Sequence, residues 1–132
     1  MIIYSDLENR YQMLDYPVTH SRLLIRSMKN KNRDYNIDIL FKPVDFLLIP
    51  DIFYGIEISI CESNEIAKYL IDKYGFKVTT NYKIFSIKNA DGKYFYINAM
   101  AVGVFHNELE PNESSIKGLD GEFGEKQIWY IG

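Results

Sequence analysis

The residue types that do most of the chemistry in proteins are scarce in this chain and far apart along it. It has two histidines, His20 and His106, and a single cysteine, Cys61. Zinc sites need several clustered Cys and His ligands, and this spacing supplies no such cluster. Residues 34–38 resemble the opening of a calcium-binding loop, but Ile39 stands where that loop requires glycine. We therefore predict that the protein holds no metal ion and no cofactor.

The candidates for catalysis are isolated polar residues. Cys61 lies between a predicted strand and the start of a predicted helix, a position that lowers the pKa of a thiol. It could act as a nucleophile beside His106 only if the fold brought them together, and a buried, inert cysteine is the commoner case. The chain has neither a nucleophile elbow nor a phosphate-binding loop. We predict that the protein is not an enzyme. An enzyme with dispersed polar residues, such as Glu57, His20 and His106, is the weaker alternative.

Charge is distributed unevenly along the chain. The net charge of −3 disfavours general affinity for nucleic acid. Residues 10–42 carry seven basic and three acidic side chains, whereas residues 106–125 carry six acidic side chains and one basic one. The two segments could attract each other in the fold, or the acidic segment could attract a basic partner protein. The acidic candidates for partner binding are Glu108, Glu110, Glu113, Asp120, Glu122 and Glu125.

Aromatic residues are abundant, with 11 tyrosines, 8 phenylalanines and 1 tryptophan. Tyrosine both packs β-sheets and anchors protein interfaces. The predicted elements assign Tyr54 and Tyr74 to the core. The tyrosines that remain for recognition are chiefly Tyr11, Tyr16 and Tyr35.

Length and composition predict one globular domain over residues 1–132. No apolar run approaches the ~20 residues that span a bilayer, and the first residues lack the features of a signal peptide. A lone cysteine fits a reducing compartment. These features predict a cytoplasmic protein without a membrane segment.

Local patterns predict mostly strands. A helix is predicted over residues 64–74, with Ser63 as its N-cap, Gly75 after its last residue and an apolar stripe facing the core. Asp91-Gly92 predicts a tight hairpin turn between two later strands. Residues 5–16 fit either a short helix or a strand. The strands are predicted over residues 22–27, 36–41, 44–49, 51–61, 82–88, 93–98, 101–106 and 127–131.

These elements predict an α+β domain with a mostly antiparallel sheet. Residues 107–126, which are acidic and contain three glycines, are expected to form a long loop. Residues 29–34 are expected to form a basic hairpin loop, and with the tyrosines around it that loop could bind single-stranded nucleic acid. The acidic residues between positions 106 and 125 would repel the nucleic-acid backbone, so we disfavour that function.

The combination of an acidic segment, many tyrosines and few catalytic residues predicts a small protein-binding module. The general character is that of a bacterial-type immunity protein or inhibitor, which would neutralise a toxin or enzyme by occluding a basic active site. A small-molecule-binding domain with an aromatic-lined pocket is the main alternative.

Overall fold

The computed structural model describes residues 2–16, 21–111, 113–114 and 126–131. Seven strands and one helix are present in these residues, and every strand pairing is antiparallel, which confirms the predicted α+β class. The elements are β1 (Ile2–Asp15), β2 (Leu23–Ser27), β3 (Asn36–Leu48), β4 (Ile52–Ile60), α1 (Asn64–Tyr74), β5 (Lys83–Lys88), β6 (Tyr94–Asn107) and β7 (Lys126–Ile131).

Six of the strands form a closed ring. Their order is β3-β2-β1-β4-β5-β6, and β6 pairs back onto β3 from Tyr96↔Leu48 to Asn107↔Asn36. β7 pairs with the second half of β6, beyond the end of β5. A closed ring gives each inward-facing side chain neighbours from several strands, so the core lies inside it.

Large apolar side chains fill the ring. Every one of the six strands contributes, and the Phe41 and Phe85 rings meet edge to face at 5.5 Å. Tyr11 from β1 is fully buried among them. A smaller apolar cluster, of Leu24, Leu40 and Phe105, is separate from this core.

Two predicted strand breaks are absent. The predicted strands 36–41 and 44–49 merge into one continuous strand, β3 (Asn36–Leu48), and the predicted strands 93–98 and 101–106 merge into another, β6 (Tyr94–Asn107). Pro43, which lies between the first two of these predicted strands, has no N–H group to donate to a neighbouring strand. The pairing of β2 with β3 stops at Phe41, so Pro43 interrupts no hydrogen bond between those strands.

The ambiguity over residues 5–16 resolves to strand. β1 pairs with β4 over Ile2–Gln12 and with β2 over Gln12–Asp15. Hydrogen bonds to β4 over most of the strand and to β2 at its end outweigh the local helix signal.

The inward alternation of β4 changes phase at Gly55. Phe53, Ile56 and Ile58 are buried, whereas Tyr54 is 64% exposed, so the prediction that Tyr54 faces the core was wrong. Gly55 has a φ of +79°, and the pairing of β1 with β4 is irregular at the same level. A Cβ on Gly55 would lie 2.9 Å from the Ala90 nitrogen, so only glycine fits this bulge.

The helix prediction is confirmed at both ends. Gly75 adopts a left-handed conformation, with a φ of 68°, and its N–H donates to the Ile71 carbonyl at 3.0 Å. Ser63 is extended at the N-cap but its side chain makes no capping hydrogen bond. Leu70 is the buried residue of the stripe, while Tyr74 is 43% exposed, which corrects its assignment to the core. No helix in the described residues is long and apolar enough to cross a membrane.

Candidate functional site

The acidic residues predicted to bind a partner follow β6 directly. Glu108, Glu110 and Glu113 are all exposed. Together with the buried Leu109 between the first two, they form what we call the acidic segment, residues 108–111 and 113. The other predicted acidic residues, Asp120, Glu122 and Glu125, lie outside the described residues.

Three consecutive carbonyl groups hold the acidic segment in place. Lys29 Nζ donates to the Glu108 carbonyl at 2.7 Å, and Asn36 Nδ2 donates to the Leu109 carbonyl at 2.9 Å. Arg26 Nη1 donates to the Glu110 carbonyl at 3.3 Å. Because the anchors bind the backbone, they leave the three glutamate side chains exposed.

A buried polar network supplies two of these anchors. Arg26 and Asp38 are fully buried cross-strand neighbours, joined by two charge-assisted hydrogen bonds of 2.6 and 2.8 Å. Asn107 Nδ2 donates to Asp38 Oδ2 at 2.8 Å, and Asn36 Nδ2 donates to Asn107 Oδ1 at 2.9 Å. Every member is satisfied by another, which fixes the end of β6 relative to β2 and β3.

This network was missed from the sequence, although a signal was present. Arg26 and Asp38 stand on two predicted strands that a single hairpin loop connects, three residues before that loop and four residues after it, so they lie within one residue of facing positions. Opposite charges at such positions indicate a cross-strand pair.

The acidic segment contacts the basic part of the chain, residues 10–42, as one of the two interpretations of the charge distribution predicted. Lys29 Nζ lies 3.6 Å from Glu110 Oε1. Glu113 Oε1 accepts a hydrogen bond from the Glu110 backbone N–H at 2.9 Å. The Glu110 side chain is nonetheless 69% exposed, so this ion pair leaves most of it in water.

The predicted tyrosines are less available than expected. Tyr11 is fully buried, and its hydroxyl donates to Asp6 Oδ2 at 2.6 Å, so it offers no surface to a partner in this conformation. Burial, followed by the hydrogen bond to Asp6, raises the pKa of Tyr11 far above its usual range. Tyr16 and Tyr35 are half-buried. The Tyr35 ring stacks on His106, with their centroids 4.2 Å apart.

Other tyrosines are more exposed than these. Tyr69 and Tyr74 on α1 meet edge to face, and the Lys73 ammonium lies 5.6 and 5.7 Å from their two ring centroids. Tyr94, at the start of β6, is 54% exposed. The sequence placed Tyr74 in the core because it shares a helical stripe with the buried Leu70.

The isolated polar residues considered for catalysis have different neighbours. The Cys61 thiol hydrogen-bonds Ser86, and burial raises its pKa, contrary to the lowering expected at a helix start. His106 stacks on Tyr35, and Glu57 accepts a long hydrogen bond of 3.4 Å from Ser5. His20 lies outside the described residues. In the part of the chain that the structure describes, no three Asp, Glu, His or Cys side chains form a metal-binding group.

Comparison with known proteins finds no matching family model, no similar curated protein and no similar solved structure.

Proposed function

We propose that this protein is a non-catalytic binding module that acts in the cytoplasm as an inhibitor or immunity protein. Its partner would be a toxin or enzyme whose basic active site it covers. The observation that carries the proposal is the acidic segment, in which three consecutive backbone carbonyls are anchored while three carboxylates face solvent.

The anchoring matters because it lowers the entropic cost of binding. A flexible acidic loop loses conformational freedom when a partner orders it, whereas a fixed segment has already lost that freedom during folding. The carboxylates then act at long range as well, since clustered negative charge accelerates encounter with a basic surface.

The interior of the ring is filled with side chains, so we assign the binding role to the outer surface. Fully buried apolar side chains, among them Tyr11, Phe41 and Phe85, pack the interior of the ring. A small-molecule-binding domain would instead place its ligand in a lined pocket. A cleft of about 260 Å³ does lie between α1 and the strands, bordered by Cys61, Ala67 and Asn98. That volume is below the ~300–1,000 Å³ typical of ligand pockets, whereas a cleft of about 370 Å³ beside Phe46, Tyr74 and Phe76 falls within that range. A small-molecule-binding domain is therefore the second candidate function.

The test compares two variants with the same change in net charge. One carries Glu108→Lys, Glu110→Lys and Glu113→Gln, where the glutamine keeps the acceptor that Glu113 offers to the Glu110 N–H. The control carries Asp51→Lys, Asp72→Lys and Glu62→Gln, all exposed and outside the acidic segment. Partners captured from the source cytoplasm by the wild type are purified, and their association rates are measured at several salt concentrations.

The proposal predicts that the first variant associates at least tenfold more slowly at low salt, with a weaker dependence on salt. The control should retain most of the wild-type rate. Equal rates for the two variants would show that only net charge matters and would contradict a site at the acidic segment.

A further inference from the structure

The cleft of about 370 Å³ lies where the end of α1 meets β3, and three aromatic rings border it. The Phe46 ring packs edge to face on the Phe76 ring, with their centroids 5.2 Å apart, and its centroid lies 6.3 Å from that of Tyr74. Tyr74 is 43% exposed, so aromatic surface remains open on this side of the protein. Because aromatic rings attract one another at such distances, a ligand that carries a ring would fit this wall.

A carboxylate with a fixed orientation borders the same cleft. Asp45 Oδ1 accepts a hydrogen bond from Asn98 Nδ2 at 2.6 Å, and Asp45 Oδ2 accepts one from Thr79 Oγ1 at 2.5 Å. Both donors are neutral, and Asp45 forms no ion pair with any residue that the structure describes. The side chain is exposed, and each oxygen can accept a further hydrogen bond. The carboxylate is therefore oriented while its negative charge stays uncompensated.

Lysine supplies the opposite charge. Lys77 borders the cleft and is exposed, and its ammonium makes no hydrogen bond or ion pair within the described part of the chain. The Lys73 ammonium, 5.7 Å from the centroid of the Tyr74 ring, adds positive charge nearby. Asp45 and Lys77 thus border one cleft without pairing with each other. A ligand that carries both charges could compensate both side chains at once.

The geometry points to this cleft as a binding site for a free aromatic amino acid. The ligand ammonium would donate to Asp45, and the ligand carboxylate would accept from Lys77. The ligand ring would pack against the aromatic wall. Charge-assisted hydrogen bonds at two points orient a ligand, and an aromatic wall with a few convergent polar groups is the usual composition of a small-molecule site.

The free amino acid is favoured over a peptide because it carries the ammonium and the carboxylate on one carbon atom. The inference rests on the small-molecule function that was placed second above. None of the residues bordering the cleft belongs to the acidic segment. Failure of either site in its own test would therefore leave the other site standing.

An NMR titration of the wild-type protein with L-phenylalanine tests the site. The Tyr74 ring signals should shift and saturate together with the side-chain amide signals of Asn98, which donates to Asp45. The side-chain amide of Asn36, in the buried polar network, should not follow. The inference is overturned if phenylalanine produces no saturating shift, or if the Asn36 signals follow the others.

Three further probes each lack one group of phenylalanine. They are 3-phenylpropionate, without the ammonium, 2-phenylethylamine, without the carboxylate, and glycine, without the ring. Each should bind at least about tenfold more weakly than phenylalanine, since each loses a charge-assisted hydrogen bond or the aromatic contact. A probe that binds the wild type as tightly as phenylalanine would overturn the inference.

Variants assign each charge to its partner. Asp45→Asn removes the negative charge, and the amide can keep both hydrogen bonds with the Thr79 hydroxyl turned from donor to acceptor. The preference for phenylalanine over 3-phenylpropionate should then fall to about threefold or less, while the preference over 2-phenylethylamine persists. Lys77→Met should reverse this pattern. The controls Asp72→Asn and Lys68→Met, at exposed positions of α1 outside the cleft, should keep both preferences. An unchanged pattern in Asp45→Asn or in Lys77→Met would overturn the inference.

Discussion

Replacing Asp38 by asparagine is expected to destabilise the protein strongly. The substitution keeps the size of the side chain but removes the only carboxylate that Arg26 contacts among the described residues, and both residues are fully buried. It also turns an amide N–H₂ toward Arg26 or Asn107, which are themselves donors. Leaving one charge of a buried pair without its partner costs about 3–5 kcal/mol of folding free energy.

Urea unfolding followed by circular dichroism measures this cost. With an m-value of about 1.5 kcal/mol/M, the midpoint should fall by roughly 2 M or more. Lys29→Met is the matched control, because it removes only exposed contacts, the ion pair with Glu110 and the hydrogen bond to the Glu108 carbonyl, and should cost about 1 kcal/mol. The double variant Arg26→Met with Asp38→Leu should be more stable than Asp38→Asn alone, since no buried charge remains. Midpoints for Asp38→Asn and Lys29→Met that agree within error would refute the reasoning.

Two further predictions concern glycine and tyrosine. Gly55→Ala should cost about 2–4 kcal/mol in urea unfolding, because it combines a positive φ with a Cβ 2.9 Å from the Ala90 nitrogen. Gly92 also has a positive φ, of +82°, but a Cβ added there would meet open space, so Gly92→Ala should cost only about 1 kcal/mol. Equal costs for the two variants would show that the close approach to the Ala90 nitrogen does not destabilise Gly55→Ala. The raised pKa of Tyr11 means that the unfolded chain loses this proton first as the pH passes about 10, so the free energy of unfolding should fall above that pH. Tyr11→Phe should be less stable than the wild type at pH 8 but should lose less stability between pH 8 and pH 11. The control Tyr54→Phe, at an exposed position, should lose as much stability as the wild type over that range. If Tyr11→Phe also loses as much as the wild type, Tyr11 is not the source of the pH dependence.

Local features of the fold could be predicted because short-range chemistry controls them. Gly75 ends α1 in the left-handed conformation expected of a helix terminus, and Asp91-Gly92 lies in the turn between β5 and β6. The closure of the ring could not be predicted in this way. It pairs residues 36–48 with residues 96–107, and no turn connects these two strands to set their register.

The burial of individual aromatic residues depended on that same long-range geometry. Tyr54 was assigned to the core by an alternation that Gly55 interrupts, and Tyr11 was assigned to the surface although the ring encloses it. The acidic segment was visible as composition, but its anchoring depends on Arg26, Asn36 and Asn107, which three different strands bring together.

Carboxyl footprinting of the complex tests the central claim most directly. The captured partner is mixed with the wild-type protein, glutamate and aspartate side chains are labelled with a carbodiimide and an amine, and the labelling of each residue is measured by mass spectrometry. The account predicts that labelling of Glu108, Glu110 and Glu113 falls severalfold in the complex, while Asp51 and Asp72, which are also exposed, are labelled as in the free protein. Unchanged labelling of the acidic segment in a complex that forms at full occupancy would contradict it.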